Sequence, residues 1–184
     1  CLCLRTLVLK QVNTDDSDEN PVSSSFGQLT SLTFDEGHIE IGRMAQCLSC
    51  TPALTYLKII GDGNLFNSSF DGYQWERLIR TRLLQLETFE FFFVILTYSN
   101  YRSRNIELLM KSFDTPFWLE KMHCSITCDY IANSRKIMLY TRPICKTHFV
   151  YHIDPKHLSV SNGDVNIDQN DRDCVQQLEL QLTK

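Results

Sequence analysis

Two cysteines three residues apart, Cys47-Leu-Ser-Cys50, have the spacing of half a zinc site or of a redox dithiol. A second half could come from Cys145-x-x-His148, with His152 nearby. Zinc needs four convergent ligands, and about a hundred residues separate these two pairs. Cys47 also falls in a stretch with helical periodicity, so ordinary part-buried thiols explain the pair without a metal. Cys124-x-x-x-Cys128 is a weaker candidate, because it straddles the end of a strand pattern. His148, His152 and His157 gather around Asp154, and Cys145 with His148 could act as nucleophile and base. No orienting third residue and no oxyanion loop accompany them. The expectation is therefore no catalysis, no cofactor and no metal. Gly61-Asp-Gly63 is too short for a phosphate-binding loop and reads as a turn.

The remaining polar feature is the acidic run Thr14-Asp-Asp-Ser-Asp-Glu-Asn-Pro21, a solvated loop by composition. It could also meet a basic partner or carry a phosphate on Ser17. With a net charge of −4, the chain gives no electrostatic reason to bind nucleic acid or an anionic membrane. The longest uncharged apolar run, Phe91 to Leu96, is far too short to span a bilayer. Eight cysteines in 184 residues do not require disulfides, because a chain of this length can build a core without them. Reduced thiols in the cytoplasm or nucleus are the expected state. The sequon at Asn67 is the one feature that would suit an extracellular protein.

What must position these residues is a recurring pattern, apolar-x-x-apolar-x-apolar. It appears as Leu4/Leu7/Leu9, Leu29/Leu32/Phe34, Leu54/Leu57/Ile59 and Leu86/Phe89/Phe91. A weaker copy is Leu119/Met122/Cys124, and a last one is Val175/Leu178/Leu180. The copies start 25, 25, 32, 33 and 56 residues apart. The long last gap has room for one more strand, at Lys136 to Tyr140. Between copies lie helical patterns. Asp71 caps a stretch with Trp75, Leu78 and Ile79 on one face. Ser103 to Phe113 carries Ile106, Leu109, Met110 and Phe113, and His38 to Cys50 carries Ile41, Met44 and Leu48. Short strands with helical returns, the first two at an equal step, predict a solenoid, since one unit cannot bury its apolar face alone.

The motif resembles the leucine-rich repeat family. The resemblance covers the first six positions of its signature. The family's asparagine at position nine is missing, replaced by Val12, Gly37, Asp62, Val94, Thr127 and Thr183. The expected fold class is therefore α/β, an irregular leucine-rich-repeat-like solenoid of parallel strands and helical returns. It would be a single domain over residues 1–184 and a fragment of a longer protein. A narrower likeness covers roughly residues 54–143. YQWERLI, LETFEF, SFDTPFWLEK, CDY and IMLYTRP, in that order, resemble the repeat region of F-box proteins from large invertebrate families. The resemblance implies a non-catalytic substrate-recognition module of an SCF-type ubiquitin ligase. Its adaptor would be bound by an F-box outside this chain, upstream of Cys1. The alternative is a recognition or scaffold protein unrelated to ubiquitin, with an extracellular location that a sugar on Asn67 would favour. In the repeat, positions three, five and seven face a concave surface. The expected target-protein face is thus Tyr56, Lys58 and Ile60, Thr88, Glu90 and Phe92, and Lys121 and His123.

Overall fold

In the computed structural model, residues 4–12, 26–38, 41–64, 70–97, 103–146, 148–153, 157–162 and 177–182 are described. The first four copies of the motif form strands β1 (Thr6–Val12), β2 (Ser31–His38), β3 (Tyr56–Asn64) and β4 (Thr88–Leu96). They pair in parallel and in one register: Leu7, Leu32, Leu57 and Phe89 stand side by side across the sheet.

The solenoid expected from the motif is overturned beyond β4. β5 (Ser125–Ile131) and β6 (Lys136–Arg142) form an antiparallel hairpin, and β6 joins β4 antiparallel. β8 (His157–Ser161) then adds antiparallel to β5. The product is a seven-stranded mixed sheet in the order β1-β2-β3-β4-β6-β5-β8. The class remains α/β. The weak fifth copy does not form a strand: Leu119 lies in a short π-helix (Phe117–Lys121), and Met122 and Cys124 lie on its exit. Lys136 to Tyr140 is a strand, yet it runs against its neighbours, because the Ala132–Arg135 turn is far too short for a parallel crossover. Leu178 and Leu180 of the last copy fall in β9 (Gln177–Leu182), which pairs in parallel with β7 (His148–Ile153) as a separate two-stranded sheet, while Val175 lies outside the described residues.

Three helices return the parallel strands: α1 (Ile41–Ser49), α2 (Gly72–Arg82) and α3 (Ser103–Lys111). Each has the apolar stripe that its periodicity predicts. The carboxylate of Asp71 accepts the Tyr73 amide at 2.9 Å and so caps α2. Trp75, Leu78 and Ile79 point from α2 into the core, as do Met44 and Leu48 from α1 and Ile106 and Met110 from α3. They meet the odd-numbered residues of β4, Phe89, Phe91, Phe93 and Ile95, together with Ile126, Cys128, Ile137 and Leu139. Five aromatic residues between 75 and 118 form one cluster here. Trp118 lies 6.0 Å from Phe89, 5.3 Å from Phe113 and 5.0 Å from Phe117, and Trp75 lies 5.1 Å from Phe89. Offset and edge contacts at such spacings add to the area these rings bury.

The other face of the sheet carries no helix in its apolar cluster. Ile60, Phe92, Ile131, Met138 and Tyr140 are buried there beneath Ile144 and Cys145. Among the described residues, the sheet is thus thickly covered on one side and only partly covered on the other.

Hydroxyls take the place of the missing asparagine ladder, at the opposite end of the motif. The Thr30 hydroxyl donates to the Arg5 carbonyl at 3.2 Å, and the Thr55 hydroxyl donates to the Thr30 carbonyl at 3.1 Å. Each of these carbonyls also receives two successive amides, from Thr30 and Ser31 and from Thr55 and Tyr56. The Thr55 carbonyl continues the series with Glu87 and Thr88. Position two of the motif therefore pins the start of each strand to the one before.

Candidate protein-binding face

Strand alternation sends Tyr56, Lys58 and Ile60, and Thr88, Glu90 and Phe92, to the face without helices. The register sets them in rows across β2, β3 and β4: Ser31–Tyr56–Thr88, Thr33–Lys58–Glu90 and Asp35–Ile60–Phe92. Six of the eight expected face residues are brought together in this way. Lys121 and His123 are not among them. Lys121 ends the π-helix with its ammonium 5.6 Å from the Phe117 ring centre, and His123 follows in a left-handed turn with φ 51°.

The six divide into two kinds. Ile60 and Phe92 are buried, Phe92 at 2% exposure. Phe92 stacks on Tyr140 at 5.6 Å, and the Lys146 ammonium lies 5.4 Å from its ring centre. The loop after β6 therefore covers the aromatic anchor that the motif would present on an open concave face. Tyr56, Lys58 and Glu90 are half-buried and Thr88 is exposed. The Tyr56 hydroxyl donates to Glu90 Oε2 at 2.7 Å. Burial, reinforced by that bond to a carboxylate, pushes the Tyr56 phenol above its ordinary range. Tyr56 is accordingly a neutral donor tied by its hydroxyl to Glu90.

Beside this pair sits Cys145. Burial pushes its thiol up to about 12, and the neighbouring charges of Lys58, Glu90 and Lys146 only modify that value. A thiol with such a pKa is a weak nucleophile at neutral pH. Cys124 and Cys128 are pushed to about 11 and about 12, each first by burial. Deeper in the same face, the Tyr140 hydroxyl donates to Asp129 Oδ2 at 2.9 Å, and the hydroxyls of Thr127 and Ser161 lie 2.8 Å apart.

The two halves of the conceivable zinc site lie on opposite sides of the sheet. Cys47 and Cys50 belong to the end of α1, which packs on the helix-covered face, while Cys145 packs with Ile60 and Phe92 on the other. Burial and the nearby Cys50 raise the Cys47 thiol as well. Among the described residues, no group of three or more histidine, cysteine or acidic side chains could hold a metal ion. Also among the described residues, no helix is long and apolar enough to cross a membrane. Cys1, Cys3, Cys174, the acidic run, the Asn67 sequon and Asp154 lie outside the described residues. His148, His152 and His157 are placed as strand backbone in β7 and β8, and their side chains lie outside what is described.

Two structural features have little sequence signal. Asn162, in a Ser-Asn-Gly stretch that reads as a plain turn, is a buried clamp. Its Oδ1 accepts the Ile126 amide, and its Nδ2 donates to the Phe113 carbonyl at 2.9 Å. Lys146 gives no hint in the sequence that it closes over Phe92. Comparison with family models, with curated proteins and with solved structures finds no match.

Proposed function

We propose that the chain is a non-catalytic protein-binding module, the target-recognition part of an F-box protein that presents its captured protein to an SCF-type ubiquitin ligase. The ligase adaptor would be bound by a region outside this chain. The observation that carries the binding role is the uneven cover of the sheet. One face is sealed by three helices, whereas the other keeps Tyr56, Lys58, Thr88 and Glu90 accessible around the buried Ile60–Phe92 cluster. Part-exposed polar groups around a packed apolar centre suit a reversible protein contact. The raised Cys145 thiol supports a binding role over nucleophilic catalysis on this face. The ubiquitin role rests on the order of the F-box-like landmarks in residues 54–143. It carries with it a location in the cytoplasm or nucleus.

The test is photo-crosslinking in cells from a benzoylphenylalanine placed at Thr88, followed by binding of the purified crosslinked protein. Lys58→Glu should weaken that binding at least about tenfold, which is the scale of one lost charge-assisted contact. Lys111→Glu, on the helix-covered side, should leave it unchanged. Equal binding by all three proteins sinks the proposed face. Failure of a ligase adaptor to co-purify with the longer protein that contains this chain sinks the ubiquitin role and leaves the face intact.

A further inference from the structure

Helices α1 and α2 return successive parallel strands, so they lie side by side on the helix-covered side of the sheet. A groove of about 440 Å³ runs between them. Ile41, Gly42 and Ala45 of α1 and Leu78 of α2 form its apolar floor, and Arg77 and Arg82 of α2 stand along it. Every residue that lines the groove is described, and Gly42, Arg77, Thr81 and Arg82 are exposed there. The helical period explains its shape. Ile41 and Ala45 share one side of α1, as Gln74, Leu78 and Thr81 share the facing side of α2. Packed helix axes lie about 8–10 Å apart, and the short side chains of Gly42 and Ala45 leave part of that width unfilled.

The charges around the groove have one sign. No carboxylate lines it, and its two ionised groups are the guanidiniums of Arg77 and Arg82, in a chain whose net charge is −4. Arg77 donates to Gln74 Oε1 at 2.7 Å, which holds it alongside the groove. Neither of these two arginines meets a carboxylate among the described residues. The third arginine of α2 is used differently. Arg80 pairs with Glu76 at 2.8 Å and lies 4.8 Å from the Phe117 ring centre, so it ties α2 to the π-helix.

We propose that the groove between α1 and α2 is a docking site for an acidic amphipathic helix of a partner protein. The site lies across the sheet from the face described above and goes beyond that reading, so it stands or falls without it. The walls are helices whose backbone groups bond within themselves, so the groove offers side chains and no strand edge. A helix, which satisfies its own backbone, is the segment that fits. With 9 and 11 residues in α1 and α2, the groove is long enough for about two to three turns. Apolar residues of the partner spaced i, i+4, i+7 would lie on the floor, and flanking carboxylates would reach the two guanidiniums, which can each hold one bidentately. Two cations beside an apolar floor suit such a peptide better than a polyanion, which gains its affinity from many phosphate contacts.

The test is selection of a phage-displayed library of helical peptides on the native chain, with the selected sequences then titrated as labelled peptides by fluorescence polarisation. The expected sequences carry apolar residues at the helical spacing with Asp or Glu beside them. Arg77→Glu combined with Arg82→Glu should weaken their binding about tenfold or more, and both positions are exposed, so the fold should stand. A peptide whose acidic residues are replaced by arginine should bind this double variant better than the native chain. Ala45→Phe, which fills the groove, should also weaken binding about tenfold, and Lys58→Glu on the opposite face should not change it. In the native chain, added peptide should shift the NMR signals of the Ala45 and Thr81 methyl groups; this readout stands even if Ala45→Phe fails to fold. Selection of no peptide, of peptides without acidic residues, or of peptides insensitive to the double variant overturns the proposal. So does a concentration-dependent dimer that Ala45→Phe abolishes, since a second copy would then own the groove. A rise in peptide affinity when Asp15, Asp16, Asp18 and Glu19 are neutralised together would assign the groove to the chain's own acidic run and overturn it as well.

Discussion

Replacing Asn162 by alanine should cost about 3 kcal/mol, far more than a turn residue ordinarily would. Its side chain is 5% exposed and closes three separate pieces of chain. The Ile126 amide at the start of β5 donates to its Oδ1. Its Nδ2 donates to the Phe113 carbonyl beyond α3 at 2.9 Å, and more weakly to the Cys124 carbonyl at 3.5 Å. Alanine removes both partners and leaves one buried amide and one buried carbonyl without their bonds. Each orphaned group costs about 1–3 kcal/mol, so the pair places the loss near 3. In a chain of this length that corresponds to a fall in Tm of about 10 °C. Urea unfolding measures it as a lower midpoint at an unchanged slope. Asn162→Asp sharpens the test. The carboxylate still accepts from Ile126 but sets an oxygen against the Phe113 carbonyl, so the variant should be at least as unstable as alanine at pH 7. It should recover as acid protonates the carboxyl and restores a donor. A loss below about 0.5 kcal/mol in Asn162→Ala would refute the clamp, because surface turn residues lie in that range.

Gly72→Ala should destabilise by about 2 kcal/mol or more in the same unfolding assay. A Cβ there would come within 2.6 Å of the Ser112 carbonyl carbon and 2.9 Å of the Phe113 ring, against backbone that cannot yield cheaply. Stability should also fall as pH rises above about 9. The Cys128 thiol is pushed up to about 12 in the fold, so the unfolded chain releases its proton first and is favoured increasingly through that window. Cys128→Ala should make the decline shallower by about 1 kcal/mol per pH unit between pH 9 and 11; an unchanged slope would show that this thiol does not titrate late. Finally, Tyr56→Phe should cost only about 1 kcal/mol, since Glu90 stays half-exposed and water can replace the lost donor. Calorimetry showing a loss above about 3 kcal/mol would mean that the pair is structural core and not an accessible face.

The parallel half of the sheet was legible because its code is local. Position four of each copy, Leu7, Leu32, Leu57 and Phe89, fixes which residues stand in register, and the helical stripes at Trp75, Leu78 and Ile79 or Met44 and Leu48 fix the layer above them. The antiparallel half was not legible from the motif. Leu119, Met122 and Cys124 have the right spacing for a strand, but Pro116 and the wide turn of the π-helix hold them in a different path. The gap between motif copies and the apolar run say that Lys136 to Tyr140 is a strand and nothing about its direction. The face suffered from the same gap. Tyr56, Lys58, Thr88 and Glu90 were placed by alternation within the strand, whereas the cover over Ile60 and Phe92 comes from Ile144, Cys145 and Lys146, more than fifty residues away. Asn162 likewise serves Phe113 and Ile126, contacts that no local pattern encodes.

β4 is where the two halves meet, and its composition reflects that burden. On one side it accepts the parallel register of β3; on the other it takes β6 antiparallel, with Phe92 opposite Tyr140 and Val94 opposite Met138. At the end of that pairing the Thr141 hydroxyl receives the Phe91 amide at 3.1 Å, so a side chain takes over one backbone donor. A strand buried on both faces and both edges reads as a continuous apolar run, and Phe91-Phe-Phe-Val-Ile-Leu96 is such a run. The one charged residue of the strand, Glu90, lies where cover on the open face stops. Its carboxylate is tolerated because Tyr56 donates to it and solvent still reaches it. The boundary between sealed and accessible sheet therefore runs between Glu90 and Phe92, two residues apart on one strand. A partner on this face would meet Tyr56, Lys58, Thr88 and Glu90 while the apolar cluster behind them stays packed, which is how a surface can bind reversibly without exposing the core that holds it in shape.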